Sequence, residues 1–207
     1  MKSQNISYCY MGKNYPLQIK WDIFDYDDLV LDIPKVRGWC AEGCPNYNNN
    51  GGCPPFSPGA DELLNDNEFI LLTSKLDTCC IDIDDSKEKG KLIEEIISSF
   101  MNELGYGIKS SSGIDFLCPG HCRGCEICSI KAGCKNPEKR AYSITGTGML
   151  LGDVIEKLFG DKLQWFSKES EPQYIIKIMG FYRAPNSQIS ISQLDELLSR
   201  TSNSLNI

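Results

Sequence analysis

Short apolar runs and two periodic stretches organise the chain, with long polar interruptions between them. Residues 15–21 and 29–33 alternate apolar with polar side chains, punctuated by Pro16 and Pro34, and predict edge strands or hairpin arms. Residues 36–58 turn to Cys, Gly, Asn and Pro, which is loop chemistry. Ser57-Pro58 then predicts a helix cap followed by Pro at the first helical position, opening a short helix through Leu64. Residues 69–73 form a continuous apolar run, as expected of a strand covered on both faces. The clearest helix is predicted over residues 87–104, where Leu92, Ile93, Ile96, Ile97, Phe100, Met101 and Leu104 make one stripe. Gly105 and Gly107 are placed to end it. Residues 114–117 predict another strand, giving a β-α-β unit with a right-handed crossover. Beyond a second loop-like stretch at 118–134, the pattern predicts a helix over 149–159 and a strand over 174–182. A last helix is opened by the capping-box pattern Ser190-Ile191-Ser192-Gln193. The sum is an α/β fold. One domain over residues 1–200 has a small central sheet flanked by helices and two Cys-rich metal-binding loops, and residues 201–207 form a disordered tail.

Composition narrows the function. The chain has 207 residues, 41% hydrophobic and 24% charged, which suits a globular domain. Its 21 Lys and Arg against 28 Asp and Glu leave a net charge of −7, which argues against a nucleic-acid clamp. No apolar run approaches the roughly 18 residues of a membrane span. The opening residues Met1-Lys2-Ser3-Gln4-Asn5 lead into no signal-peptide pattern, so a cytoplasmic location is expected. Cysteine is the outlier, at 11 residues and an odd number. In a long chain with no export signal, clustered thiols point to metal or redox chemistry rather than to a disulfide scaffold.

Two clusters carry that chemistry. The first is Cys40-x3-Cys44-x8-Cys53, running into Pro54-Pro55; the second is Cys118-x3-Cys122-x2-Cys125-x2-Cys128-x5-Cys134. A run spaced x2, x2 brings a thiol back to one small volume every third residue, as in the ferredoxin-like stretches that wrap a cubane cluster with a more distant Cys completing the set. Cys122, Cys125, Cys128 and Cys134 are therefore assigned to one [4Fe–4S] cluster. Cys40, Cys44 and Cys53 are assigned to a second, with Cys118 as its possible fourth ligand. Zinc is the alternative, since it also favours closely spaced Cys pairs, though separated pairs are its usual pattern. If Cys118 does not reach, the second cluster has an open iron, a Lewis-acid site.

The remaining features are read as structural. Cys9, Cys79 and Cys80 are expected to pack as small hydrophobes in the core. His121, the only histidine, adjoins Cys122 and is expected beside a metal or facing solvent rather than ligating it. Cys118-x3-Cys122-x2-Cys125 has the spacing of the radical S-adenosylmethionine motif, but Gly124 stands where an aromatic is usual and too little chain follows for the partial barrel. Gly146-x-Gly148-x3-Gly152 lacks nucleotide-loop spacing and reads as a turn opening a helix. Residues 82–85 read as a solvated acidic loop.

Two blocks of the chain resemble the predicted metal-binding family known as domain of unknown function 2284. Trp39-Cys40-Ala41-Glu42-Gly43-Cys44-Pro45-Asn46-Tyr47 with Gly52-Cys53-Pro54-Pro55 is similar to its N-terminal block. Gly120-His121-Cys122-Arg123-Gly124-Cys125-Glu126-Ile127-Cys128, then Cys134-Lys135-Asn136-Pro137, is similar to its second. The resemblance implies that Cys40, Cys44, Cys53, Cys122, Cys125, Cys128 and Cys134 are ligands shared across the family, with Cys118 outside that set. Thr145 and Leu150 stand where the family commonly has acidic residues. The resemblance implies metal binding and no particular activity. Three roles stay open: electron transfer to a redox partner protein, an enzyme working at an open cluster iron, and a zinc-stapled interaction module.

Overall fold

A computed structural model describes residues 1–65, 68–167, 170–185 and 187–201. The chain opens as a hairpin in which β1 (Lys2–Tyr10) pairs antiparallel with β2 (Lys13–Phe24). Its two-residue turn holds Met11 at φ 50° and Gly12 at φ 79°, the left-handed pair that suits the twist of the flanking strands. Ile6, Tyr8, Tyr15, Leu17, Ile19 and Trp21 point inward, as period-two alternation requires. The strand expected at 29–33 is not formed; Leu31 makes one isolated bridge to Met149.

From Ile33 the backbone is helical, where a loop was expected. Asp32 caps α1 (Ile33–Gly43), accepting from the Lys35 N–H at 3.1 Å, and Pro34 lies in the first turn. A capping Asp and an early Pro outweigh Gly38 and Gly43 in this stretch. The short helix α2 (Ala60–Leu63) begins two residues later than Ser57-Pro58 predicts, with Gly59 at its cap.

The remaining elements are β3 (Phe69–Asp77), α3 (Ser86–Ser112), β4 (Asp115–Cys118), β5 (Tyr142–Ser143), α4 (Leu151–Phe159), β6 (Tyr174–Tyr182) and α5 (Ile191–Thr201). They build one six-stranded mixed sheet in the order β1-β2-β3-β6-β4-β5. The fold is α/β. β3 and β4 both run antiparallel to β6 and hence parallel to each other. The expected β-α-β unit is present but split, because β6 returns between its two strands. Over one face of the sheet, α3 and α5 pack Ile93, Ile96, Ile97, Met101 and Leu194 onto the hairpin and the central strands. The other face is covered by α4, with Val154, Ile155 and Phe159 against Phe69 and Leu71.

α3 runs past both glycines expected to end it, to Gly113 at φ 72°. At Gly105 the helix comes close to β4: a Cβ there would stand 2.5 Å from the Phe116 ring. Asp85 caps the start of α3, accepting from the Glu88 N–H at 2.8 Å, so the acidic run at 82–85 ends in a helix cap. Two cysteines expected in the core are exposed. Cys9 falls on the solvent side of β1 by alternation with Tyr8, and Cys79 lies in the turn after β3 has ended. Cys80 is half-buried against the core. Residues 202–207, where a tail was expected, lie outside the described residues.

Candidate metal centre

The two Cys-rich segments meet at the far end of the sheet. β4 delivers Cys118 to a fully buried position, 0% exposed. The chain then wanders through an irregular loop and returns beside β4 as the parallel strand β5, where the Ile144 N–H donates to the Cys118 carbonyl at 3.1 Å. In the first segment, Cys40 sits in the last turn of α1 and Cys44 caps it one turn on, with Cys44 N–H bonded to the Cys40 carbonyl at 3.1 Å. Cys53, 5% exposed, follows a tight turn closed by its own N–H on the Asn50 carbonyl at 3.0 Å.

Polar bonds stitch one segment to the other. The Asn50 side chain donates to the Cys122 carbonyl at 3.0 Å, and its oxygen accepts from the N–H groups of Gly52 and Cys122 at 2.9 and 3.2 Å. Ser143 N–H donates to the Gly52 carbonyl at 2.7 Å. Arg140 clamps the first segment through its Nε on the Gly51 carbonyl at 2.8 Å and its Nη2 on the Phe56 carbonyl at 2.6 Å. Only glycine fits at position 52: a Cβ would sit 2.8 Å from the Cys122 Cβ and closer still to the Ala141 carbonyl. The second segment is also tied to α3, because both terminal nitrogens of Arg123 bond the Glu95 carboxylate at 2.9 and 3.1 Å.

Three sulfurs of the second segment receive N–H donors. Ala141 N–H reaches the Cys122 Sγ at 3.5 Å, the Asn136 side-chain amide reaches Cys125 at 3.1 Å, and Gly51 N–H reaches Cys128 at 3.3 Å. Tyr106 Oη lies 3.8 Å from the Cys122 Sγ while accepting from the Arg123 N–H at 3.1 Å. Burial pushes the Cys53 thiol up to about 12, reinforced by the nearby thiols of Cys44, Cys40, Cys122 and Cys128. Burial also holds the Cys118 thiol well above its ordinary value, with Cys122 and Cys53 adding to it. For Cys40 burial and then Cys44 raise the thiol, while Arg37 opposes them. Burial lowers the His121 imidazole, and the Arg123 charge lowers it further.

Cys53 thus stands among thiols from both sequence clusters. Cys125 and Cys134 are half-buried in the second segment. Among the described residues, no three Cys, His, Asp or Glu side chains already converge on one ion-sized point. The donor set nevertheless suits a soft, thiophilic metal or a cluster. Crowded thiols resist ionisation until a cation offsets their mutual repulsion, and N–H groups aimed at sulfur favour the thiolate form.

Several residues that shape this centre carried no sequence signal as such. Asn50 lay within residues 36–58, which read as loop chemistry, and it is the buried cross-link between the segments. Tyr106 lay in the region where the helix was expected to end. Asn136 was visible only within the family-like run Cys134-Lys135-Asn136-Pro137. Among the described residues, no helix is long and apolar enough to cross a membrane. None of the curated proteins and none of the solved structures matches the chain. A family match does exist over residues 23–179, which include both Cys segments and three of the six strands in full, and by it the chain belongs to the family described as predicted metal-binding protein (DUF2284).

Proposed function

We propose that this protein holds iron–sulfur clusters of the [4Fe–4S] type and passes electrons to a protein partner. The observation that carries the reading is the set of N–H donors at 3.1–3.5 Å from the sulfurs of Cys122, Cys125 and Cys128. Together with Cys134 these would hold one cluster, and their x2, x2 spacing favours iron–sulfur over zinc. Cys40, Cys44 and Cys53 would hold a second. The buried thiol of Cys118, within electrostatic reach of Cys53 and Cys122, supports its service as the fourth ligand there.

When bound, such a cluster supplies one-electron redox chemistry at a potential tuned by hydrogen bonds to its sulfurs and by solvent exposure. The chain's own part is to hold the thiolates, aim Gly51, Asn136 and Ala141 N–H groups at them, and limit water through the buried Cys53 and Cys118. The net charge of −7 favours a partner with a basic docking surface, recruited by electrostatic steering. The test is purification without oxygen, followed by iron, zinc and acid-labile sulfide analysis and by electron paramagnetic resonance after reduction. Iron and sulfide in about equal amounts, with a reducible signal, are expected. Zinc without sulfide overturns the reading.

A further inference from the structure

β6 outruns its neighbour β4, and the excess edge faces a cavity. β4 pairs only with Tyr182, Phe181 and Gly180. Two contacts fix which way the backbone of β6 points beyond Gly180. Thr78 N–H donates to the Gln173 carbonyl at 3.0 Å, which turns Gln173, and by alternation Ile175, Lys177 and Met179, toward β3. Ile144 N–H donates to the Cys118 carbonyl at 3.1 Å, which turns Cys118 toward β5 and therefore Leu117 toward Gly180. Both place the N–H and C=O groups of Ile176 and Ile178 on the open side. These groups have no ladder partner on β4, which pairs no further than Gly180, and they face inward, with Ile176 6% exposed and Ile178 2%. Backbone groups so placed take water or a ligand as their partner.

The edge opens into a cavity of about 260 Å³. Pro119 and Gly120 bound it where β4 ends, Ile144, Leu151 and Ile155 form an apolar wall, and Trp165 stands at the mouth, 71% exposed. The segment from Lys162 to Gln164 is tied to the start of β6, where Gln164 Oε1 accepts from the Gln173 N–H at 2.8 Å and Tyr174 Oη bonds the N–H and carbonyl of Lys162 at 3.3 and 3.0 Å. Pro119 and Gly120 cover one end of this edge and Leu163, Gln164 and Trp165 the other, which leaves a pocket rather than the open run of ladder positions that an added peptide strand needs.

We propose that this notch binds a planar heterocycle carrying a lactam edge, an adjacent ring N–H and C=O, of purine or pterin size. The lactam pairs with the C=O and N–H of Ile176 or Ile178, the aliphatic wall covers one ring face, and Trp165 stacks on the other. The site goes beyond the metal reading and does not depend on it. Pro119 and Gly120 set it directly beside the Cys118 to Cys122 turn.

The test is calorimetric titration of the oxygen-free, full-length protein with lumazine and with 1,3-dimethyllumazine, whose methylated ring nitrogens can donate nothing. One lumazine per chain is expected, with the dimethyl analogue about tenfold weaker or worse. Trp165→Ala, at an exposed position, is expected to weaken lumazine about fivefold, and Leu151→Trp, which fills the cavity, to abolish its binding. Absence of lumazine binding, equal affinity for the methylated analogue, or unchanged binding by a folded Leu151→Trp protein overturns the proposal. Iron and sulfide measured on the same sample separate failure of this site from failure of the metal reading.

Discussion

Gly105 and Gly107 lie two residues apart on α3 and meet opposite surroundings. Position 105 faces the Phe116 ring at 2.5 Å from any added Cβ, whereas position 107 has nothing within 4 Å. Gly105→Ala should therefore cost about 1–3 kcal/mol through overpacking. Gly107→Ala, in an exposed helical site, should add about 0.5–1 kcal/mol. Midpoints of denaturant unfolding check both, and equal effects would show that the ring does not press on position 105. The cysteines sort in the same way by surroundings. Cys53→Ala and Cys122→Ala remove thiols from the junction of the two segments and should lower iron and sulfide per chain. Cys9→Ala and Cys79→Ala alter exposed positions away from it and should leave both unchanged.

Periodicity reports what an element buries, and so α3, β3 and β6 were legible from their apolar stripes or runs. β1 was not, because it is an edge strand that buries only Ile6 and Tyr8, and β5 was not, because its two residues form a strand only by pairing with the distant β4. α1 was hidden by a composition of Gly and Cys, yet its start was written in Asp32 and Pro34. The Cys segments were legible by spacing alone, but their mutual stitching through Asn50 and Arg140 was not, since each bond joins residues about 70–90 positions apart. One such tie is titratable. Arg123 holds the Glu95 carboxyl below its ordinary value, so its stabilisation is fully present above the unfolded value and is lost as pH falls through the lower folded value. Both side chains are partly exposed, so the link contributes only about 0.3–1 kcal/mol. Acidification from pH 6 should lower the protection factors of amides around Arg123, taken against the intrinsic exchange rate at each pH, and Glu95→Gln should show that lower protection already at pH 6. An identical pH profile in the variant would rule out this carboxylate as the source.

At the scale of the whole molecule, the apolar cores on the two faces of the sheet are built without any of the first segment's thiols and with only Cys118 from the second. Chelation should thus leave amide protection unchanged in β2, β3 and β6 and at the Gly52 and Cys122 amides held by Asn50, while protection falls across residues 125–134. Hydrogen exchange on stripped and loaded protein checks this, and loss of protection throughout the sheet would show that the metal holds the fold together. The net charge of −7 adds a further expectation: association with a basic redox partner should slow steeply as salt rises. The clamp of Asn50, Gly52, Arg140 and Ser143 employs only nitrogen and oxygen, none of it sulfur. A socket framed in this way stays open when emptied. With the proposed clusters as its contents, oxygen damage to them would be mended by simple reloading of the same chain.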